Sequence, residues 1–314
     1  EEERMKNKYM VACLIAGLAL ILMAVFIQGR AGVPLVVQLP MVFKGSLLPP
    51  GGQVVFTSNR DGDPEIFRMD YDGSDLVKLT DNTFDDSLPD WSPDGMMIAF
   101  KSDMQDDTDE IYVMDSDGAS ITRLTTIGKC SSPHWSPDGQ YIAFYCHNLD
   151  DVIYVMEADG GNLTQVSEPQ TDIQDLTWSP DGQQIAFSTQ FASPAGVYAV
   201  PAEGGEATLI FESEHTGTVA WSPDGRWLAV DIMVTPSYTF DIFLYDLDNE
   251  TLGRVTTTTV NHFHVDWYPL GTYIIFQGFL ADGMTCYIYS IAMDGNQLQQ
   301  LSDGGSDYAP DWKP

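Results

Sequence analysis

The chain has 314 residues, 44% of them apolar and 11% aromatic, which suffices for a packed core and excludes a disordered chain. Against 14 Lys and Arg stand 46 Asp and Glu, a formal net charge of −32 that repels phosphate backbones and excludes nucleic-acid binding. Four Cys are too few for a disulfide scaffold.

The charge is unevenly placed. Residues 1–50 carry a formal +2 and residues 51–314 a formal −34. Asp outnumbers Glu by 34 to 12. Asp favours turns and hard-cation ligation, Glu favours helices, so the composition predicts a turn-rich, all-β domain.

Residues 1–8 read as a short cytoplasmic tail with Arg4, Lys6 and Lys8. Residues 9–27 hold no charge. As a helix they would span about 28 Å, the thickness of a bilayer core. Residues 9–28 are therefore expected to form a transmembrane or signal-anchor helix. The positive-inside rule places the rest of the chain outside the cytoplasm. The competing reading is a cleaved signal, with Gly29 and Ala31 at the cut, which would leave the chain secreted without residues 1–31. Residues 29–50 form an extended linker, since Pro34, Pro40, Pro49 and Pro50 forbid a continuous helix. Leu35, Val36, Val37, Leu39, Met41, Val42 and Phe43 are too apolar for a free tether, so burial is expected.

From residue 51 a repeat begins. Trp91-Ser92-Pro93-Asp94-Gly95 returns at Trp135, Trp178 and Trp221, weakens at Trp267 and is cut short at Trp312, with spacings of 44, 43, 43, 46 and 45 residues. Such a period signals a repeat architecture. Each unit continues with a short apolar strand such as Ile98-Ala99-Phe100, and then a strand such as Glu110-Ile111-Tyr112-Val113-Met114-Asp115. An Asp-Gly turn and a segment ending Leu-Thr complete it. Four strands per unit, stacked radially so that neighbours cover both faces of each sheet, make a β-propeller. The six Trp (Trp91, Trp135, Trp178, Trp221, Trp267 and Trp312) are expected to fill the space between blades. Joining Trp312-Lys313-Pro314 to Pro50-Gly51-Gly52-Gln53 continues the pattern without a gap. A six-bladed ring closed by one blade built from both ends is the prediction.

These motifs resemble the repeats of TolB-type six-bladed propellers, over nearly 85% of the chain. The resemblance implies the fold and an exported location. The family's namesake is periplasmic, carries a small α/β domain before its propeller and binds a lipoprotein. Residues 1–50 are too short for that domain, so the lipoprotein partner does not carry over.

Candidate sites come from position in the repeat. Asp90, His134, Asp266 and Asp311 precede Trp residues on innermost strands, near the central channel, where acids suit a cation or a basic peptide tip. Asp103, Asp106, Asp107, Asp109 and Glu110 crowd one loop, read either as a solvated rim or as a Ca²⁺ site. His262 and His264 alternate as if on one strand face, but no third metal ligand is recognisable. A three-residue loop pairing Ser136 with Gln140 would set Cys130 opposite Cys146, predicting a cross-strand disulfide that leaves Cys286 free. No G-x-S-x-G elbow occurs, and no enzyme is expected. The expected function is a protein-binding scaffold outside the cytoplasm. The alternative is a structural subunit whose copies pack through the N-terminal helix and linker.

The Ca²⁺ reading has a direct test. If these loops chelate the ion, a hundredfold excess over Kd stabilises the fold by about 2.7 kcal/mol. Melting in EDTA and in millimolar Ca²⁺ at fixed ionic strength checks it; equal melting temperatures leave only the solvated rim.

Overall fold

The computed structural model describes residues 52–313 except 106–107, 148–149, 171, 191, 258–259 and 305. The tail, the apolar span and the linker expected over 1–8, 9–28 and 29–50 lie outside the described residues, as do Asp106 and Asp107. Among the described residues no helix is long and apolar enough to cross a membrane.

Six four-stranded antiparallel sheets form the blades of a propeller. The first blade has Asp307–Trp312 innermost, then Gln53–Ser58, Glu65–Asp70 and Val77–Lys78. Val54 pairs with Trp312, and the Lys313 N–H donates to the Gln53 carbonyl at 2.9 Å. The innermost strands of the second to sixth blades are Asp86–Trp91, Cys130–Trp135, Ile173–Trp178, Thr216–Trp221 and His262–Trp267.

The repeat motifs each have a local task. In the first Trp-Ser-Pro-Asp-Gly turn, Asp94 Oδ1 accepts the Ser92 hydroxyl at 2.7 Å and the Met96 N–H at 3.0 Å. These bonds hold the Asp94 carboxyl below its usual range. Gly95 takes φ of 65°, which suits glycine. Asp138, Asp181 and Asp224 repeat the arrangement. The Leu-Thr segments tie the outermost strand to the third. Hydroxyls of Thr80, Thr125, Ser167, Thr256 and Ser302 accept the N–H of Ile66, Ile111, Ile153, Ile242 and Ile288 at 2.9–3.0 Å.

The core lies between blades. Phe56, Phe100, Phe144, Phe187 and Phe276 are wholly buried on second strands. Phe100, Phe144, Phe187 and Phe276 each stack on a tyrosine of the third strand, with ring centroids 5.5–5.9 Å apart. Such cross-strand aromatic pairs contribute about 0.5–1.5 kcal/mol beyond the area they bury. Trp91, Trp135, Trp178, Trp267 and Trp312 are buried, and Trp221 is half-buried.

Cys130 and Cys146 face each other across the third blade and are bonded, with Cα atoms 4.0 Å apart. The register at the cysteines is the one expected, but the pairing next to the turn differs. Ser136 donates its N–H to the Tyr141 carbonyl rather than pairing with Gln140, so the loop is one residue longer. A bulge between Ser131 and His134 then shifts the strand back by one. The two offsets cancel at the cysteines. Cys286 is free and buried.

The bond spans 16 residues, and releasing a loop of that size costs about 3 kcal/mol in the chain-entropy description. Urea unfolding with and without dithiothreitol should show a lower midpoint when reduced; coincident curves would count against a structural role for the bond.

Candidate functional site

The innermost strands converge on a narrow central cavity of about 70 Å³. Asp90, His134, Asp266 and Asp311 line it, joined by Asp175 and His264. At the pole carrying the Trp-Ser-Pro-Asp-Gly turns the channel widens to about 350 Å³. There Trp135, Trp178 and Trp221 and the turn prolines Pro137, Pro180 and Pro223 flank a floor that includes Asp90 and Asp266.

The residue before each Trp receives a hydrogen bond from the Trp of the next blade. Asp311 accepts the main-chain N–H of Trp91 at 2.5 Å, Asp90 that of Trp135 at 2.8 Å, and Asp266 that of Trp312 at 3.1 Å. The Thr177 hydroxyl accepts from Trp221 N at 3.4 Å. Where the preceding residue is His134 or Ala220, its carbonyl takes the indole N–H of Trp178 or Trp267 instead, at 2.9 and 3.0 Å. The ring of channel side chains is thus also a ring of latches between blades. It leaves a residue of frustration. The buried indole N–H groups of Trp91, Trp135 and Trp312, the three Trp latched by Asp, have no acceptor among the described residues.

Burial of several acids in one place sets the electrostatics. Burial, together with the charges of Asp90 and Asp266, holds the Asp311 carboxyl well above the usual carboxylate range. Burial, with Asp90 nearby, pushes Asp266 up to about 6. Behind the channel wall, Asp231 rises to about 7, mainly through burial and then through the charge of Asp175. Its Oδ1 accepts the Thr218 N–H at 2.8 Å. His134 sits 3.1 Å from Asp90 and 3.5 Å from Asp175. Burial alone would lower its pKa, but the two carboxylates reverse this and hold it well above the usual imidazole value. His264 lies 2.8 Å from Gln277, and burial lowers its pKa.

The acidic loop residues go separate ways. Asp103 accepts the Asp85 N–H at 2.9 Å, and Asp109 lies 3.4 Å from Lys101 Nζ. Glu110 is buried at the start of its strand rather than in the loop. It accepts from Arg123 and the Gly128 N–H, each at 2.9 Å, and from the Thr125 hydroxyl. Among the described residues no group of three or more His, Cys, Asp or Glu is placed to hold a metal ion. The two histidines do not share one environment, because the strand bulges between Phe263 and Asp266, where His264 takes φ of 51°. His262 instead lies edge-on to Phe276, 3.4 Å from Asp241. Asp175 and His264 were missed as channel residues. Each lies two positions before a channel residue, Thr177 or Asp266, on the strand face that alternation assigns to the channel; the signal was present, but only the residue next to each Trp had been singled out.

A family model of the TolB β-propeller domain matches residues 40–150 and 126–230. The chain belongs to the TolB β-propeller domain family. It is 28% identical over 111 residues to a TolB homolog of Chlorobaculum tepidum, covering 35% of this chain and 25% of that one. It is 35% identical over 83 residues to an uncharacterized protein of Agrobacterium fabrum, covering 24% of this chain and 28% of that one. The chain thus matches about a quarter of the length of these curated relatives. TolB from Acinetobacter baumannii superposes with a TM-score of 0.73 at 18% identity, over 84% of this chain and 67% of that one. At that identity the likeness shows the fold.

The channel acids make this family member's stability pH-dependent in a definite direction. Asp231, Asp266 and Asp311 hold protons more tightly folded than unfolded. The contribution of Asp266 therefore falls as pH rises from about 4 to about 6 and that of Asp231 from about 4 to about 7, each by about 1.4 kcal/mol for each unit, and that of Asp311 falls in the same direction. His134, raised by its carboxylates, contributes fully below about 6.5 and loses that contribution as pH climbs through its folded value. The melting temperature should be higher at pH 5.5 than at pH 8, and Asp231→Asn should flatten the slope. A wild-type melting temperature that rises over this range would overturn the assignment.

Proposed function

We propose that this protein is an exported, membrane-anchored propeller that acts as a non-catalytic scaffold for a protein partner, with residues 9–28 as the anchor. The reading rests on one observation: a mouth whose rim carries Trp135, Trp178, Trp221 and the turn prolines, above an acidic throat. This combination suits a protruding basic side chain presented by a folded partner. The throat is narrow, so a single side chain enters rather than a strand or helix. The formal −34 on residues 51–314 attracts a basic partner over longer range. Each of Asp90, Asp266 and Asp311 already accepts a main-chain N–H, which favours a binding role over proton transfer. Family membership and the resemblance to periplasmic propellers support a location outside the cytoplasm, at the cell surface or in the periplasm.

Affinity capture from solubilised envelopes of the source cells tests this. Asp90→Asn with Asp266→Asn keeps an oxygen for each latch but removes the charge. A partner retained by the wild-type chain should be lost at least tenfold by this variant. It should be kept by Asp117→Asn with Asp159→Asn, changed on exposed turns. Equal capture by all three chains, or recovery of copies of the chain alone, would contradict the scaffold reading, the latter in favour of a structural subunit.

A further inference from the structure

The channel acids fall into two sets. Asp90 uses Oδ2 for the Trp135 N–H and has Oδ1 3.1 Å from His134 Nδ1. His134 Nε2 lies 3.5 Å from Asp175, so this row of carboxylate, imidazole and carboxylate carries its own counter-charge. Asp266 and Asp311 have no such cation, since among the described residues no Lys or Arg lines the cavity. Their Oδ2 atoms accept the N–H groups of Trp312 and Trp91, and the two carboxyls are hydrogen-bonded to each other. Two ionised carboxylates offer acceptors only, so that bond contains a proton. Asp311 is its donor. Burial, with the charges of Asp90 and Asp266, raises the Asp311 carboxyl well above the usual range, whereas the bond from Asp311 opposes the effect of burial on Asp266. The other titratable groups around the pair leave it uncompensated. His264, on the sixth blade, is pushed towards its neutral form by burial. Asp231, on the fifth, is raised like the pair itself. Tyr308, on the first, is pushed up to about 12 by burial. Lys313 lies over the Trp91 ring, 4.6 Å from its centroid.

We infer that partner binding is an exchange: the cationic tip of the partner enters the throat as Asp311 releases its proton to solvent, so the channel grips its partner at neutral and higher pH and lets it go on acidification. The inference rests on the scaffold reading of the same channel. Asp90 and Asp266 reach the mouth, and Asp311 lies deeper, on the narrow cavity. A basic side chain entering from the mouth therefore meets Asp266 before Asp311. Its N–H donors satisfy Asp266 in place of the Asp311 hydroxyl, and its charge favours the ionised form of Asp311. One positive charge enters and one proton leaves, so the throat keeps its net charge. The latches survive the exchange, because Oδ2 of each carboxyl stays on its Trp N–H. Stability and binding then run in opposite directions with pH. The ring is firmest while the proton is held, and the partner is held once the proton is lost.

The peptide acetyl-Gly-Lys-Gly-amide serves as the probe, titrated into full-length chain in detergent. Calorimetry at pH 6.5 in two buffers of different ionisation heat counts the protons released. The wild type should release at least half a proton per peptide bound and bind at least fivefold tighter at pH 8 than at pH 6. Asp311→Asn keeps an oxygen for the Trp91 N–H and gives Asp266 a donor that cannot ionise. It should release less than half as many protons, and its ratio of affinities at pH 8 and pH 6 should be at least halved. Asp90, His134 and Asp175 are unchanged in it, so a pH dependence that belongs to the imidazole would survive the substitution. The same ratio and proton count in both chains overturn the exchange and leave the scaffold reading standing. No binding of the peptide to the wild type at either pH overturns both. Infrared difference spectra need no ligand. A protonated-carboxyl stretch present in the wild type at pH 6.5 should be lost in Asp311→Asn, and its persistence at full strength overturns the proposal.

Discussion

A four-stranded sheet with two apolar faces has no stable existence alone, and everything in this molecule answers to that constraint. Each sheet is covered by its two neighbours, so no blade is stable without the ring. The hydrogen bond from each Trp to the residue before the preceding Trp makes this dependence geometric. It fixes the distance between adjacent innermost strands at one point per blade. The width of the channel is set by that spacing, and so is the nearness of its acids.

The charge that the proposed scaffold would offer a partner is therefore the same charge that holds the blades together. Asp90, Asp266 and Asp311 hold neighbouring blades together, and in doing so they point into a throat too narrow for all of them to be comfortably ionised. The same choice leaves three indole N–H groups without an acceptor among the described residues. Blades that use a main-chain carbonyl instead satisfy the indole and place no carboxylate in the channel at that position. The acidic throat is thus a departure from the locally better-satisfied arrangement, as expected where a fold is put to use.

Much of the architecture could be read from residues alone because a blade has a fixed length. The period of the Trp residues reports the blade count, and continuity across Trp312 and Gln53 reports the closure, since neither depends on side-chain detail. The register within a blade was less accessible. The loop after Trp135 and the bulge before it each shift pairing by one residue, and Cys130 meets Cys146 only because the shifts are opposite. The corresponding bulge between Phe263 and Asp266 explains why His262 and His264 do not act together, whereas Asp175 and His264 share a strand face with Thr177 and Asp266 and were missed because only the residue next to each Trp was singled out. Glu110 is deceptive for a different reason. Its position next to Asp109 suggests the loop, whereas its partners Arg123, Thr125 and Gly128 lie far along the chain on the same blade.

The closure of the ring has a mechanical meaning. The strand Gln53–Ser58 lies between Asp307–Trp312 and Glu65–Asp70, hydrogen-bonded to both. Tension arriving through residue 52 along the strand axis would load both ladders in shear, all bonds at once, rather than peel one from its end. Each blade passes its share of that load to the next through a Trp and its latch. A disc tethered at this point can therefore bear force without opening at its seam, and its weakest direction is outward from the rim, where two-residue edge strands such as Val77–Lys78 would unzip first.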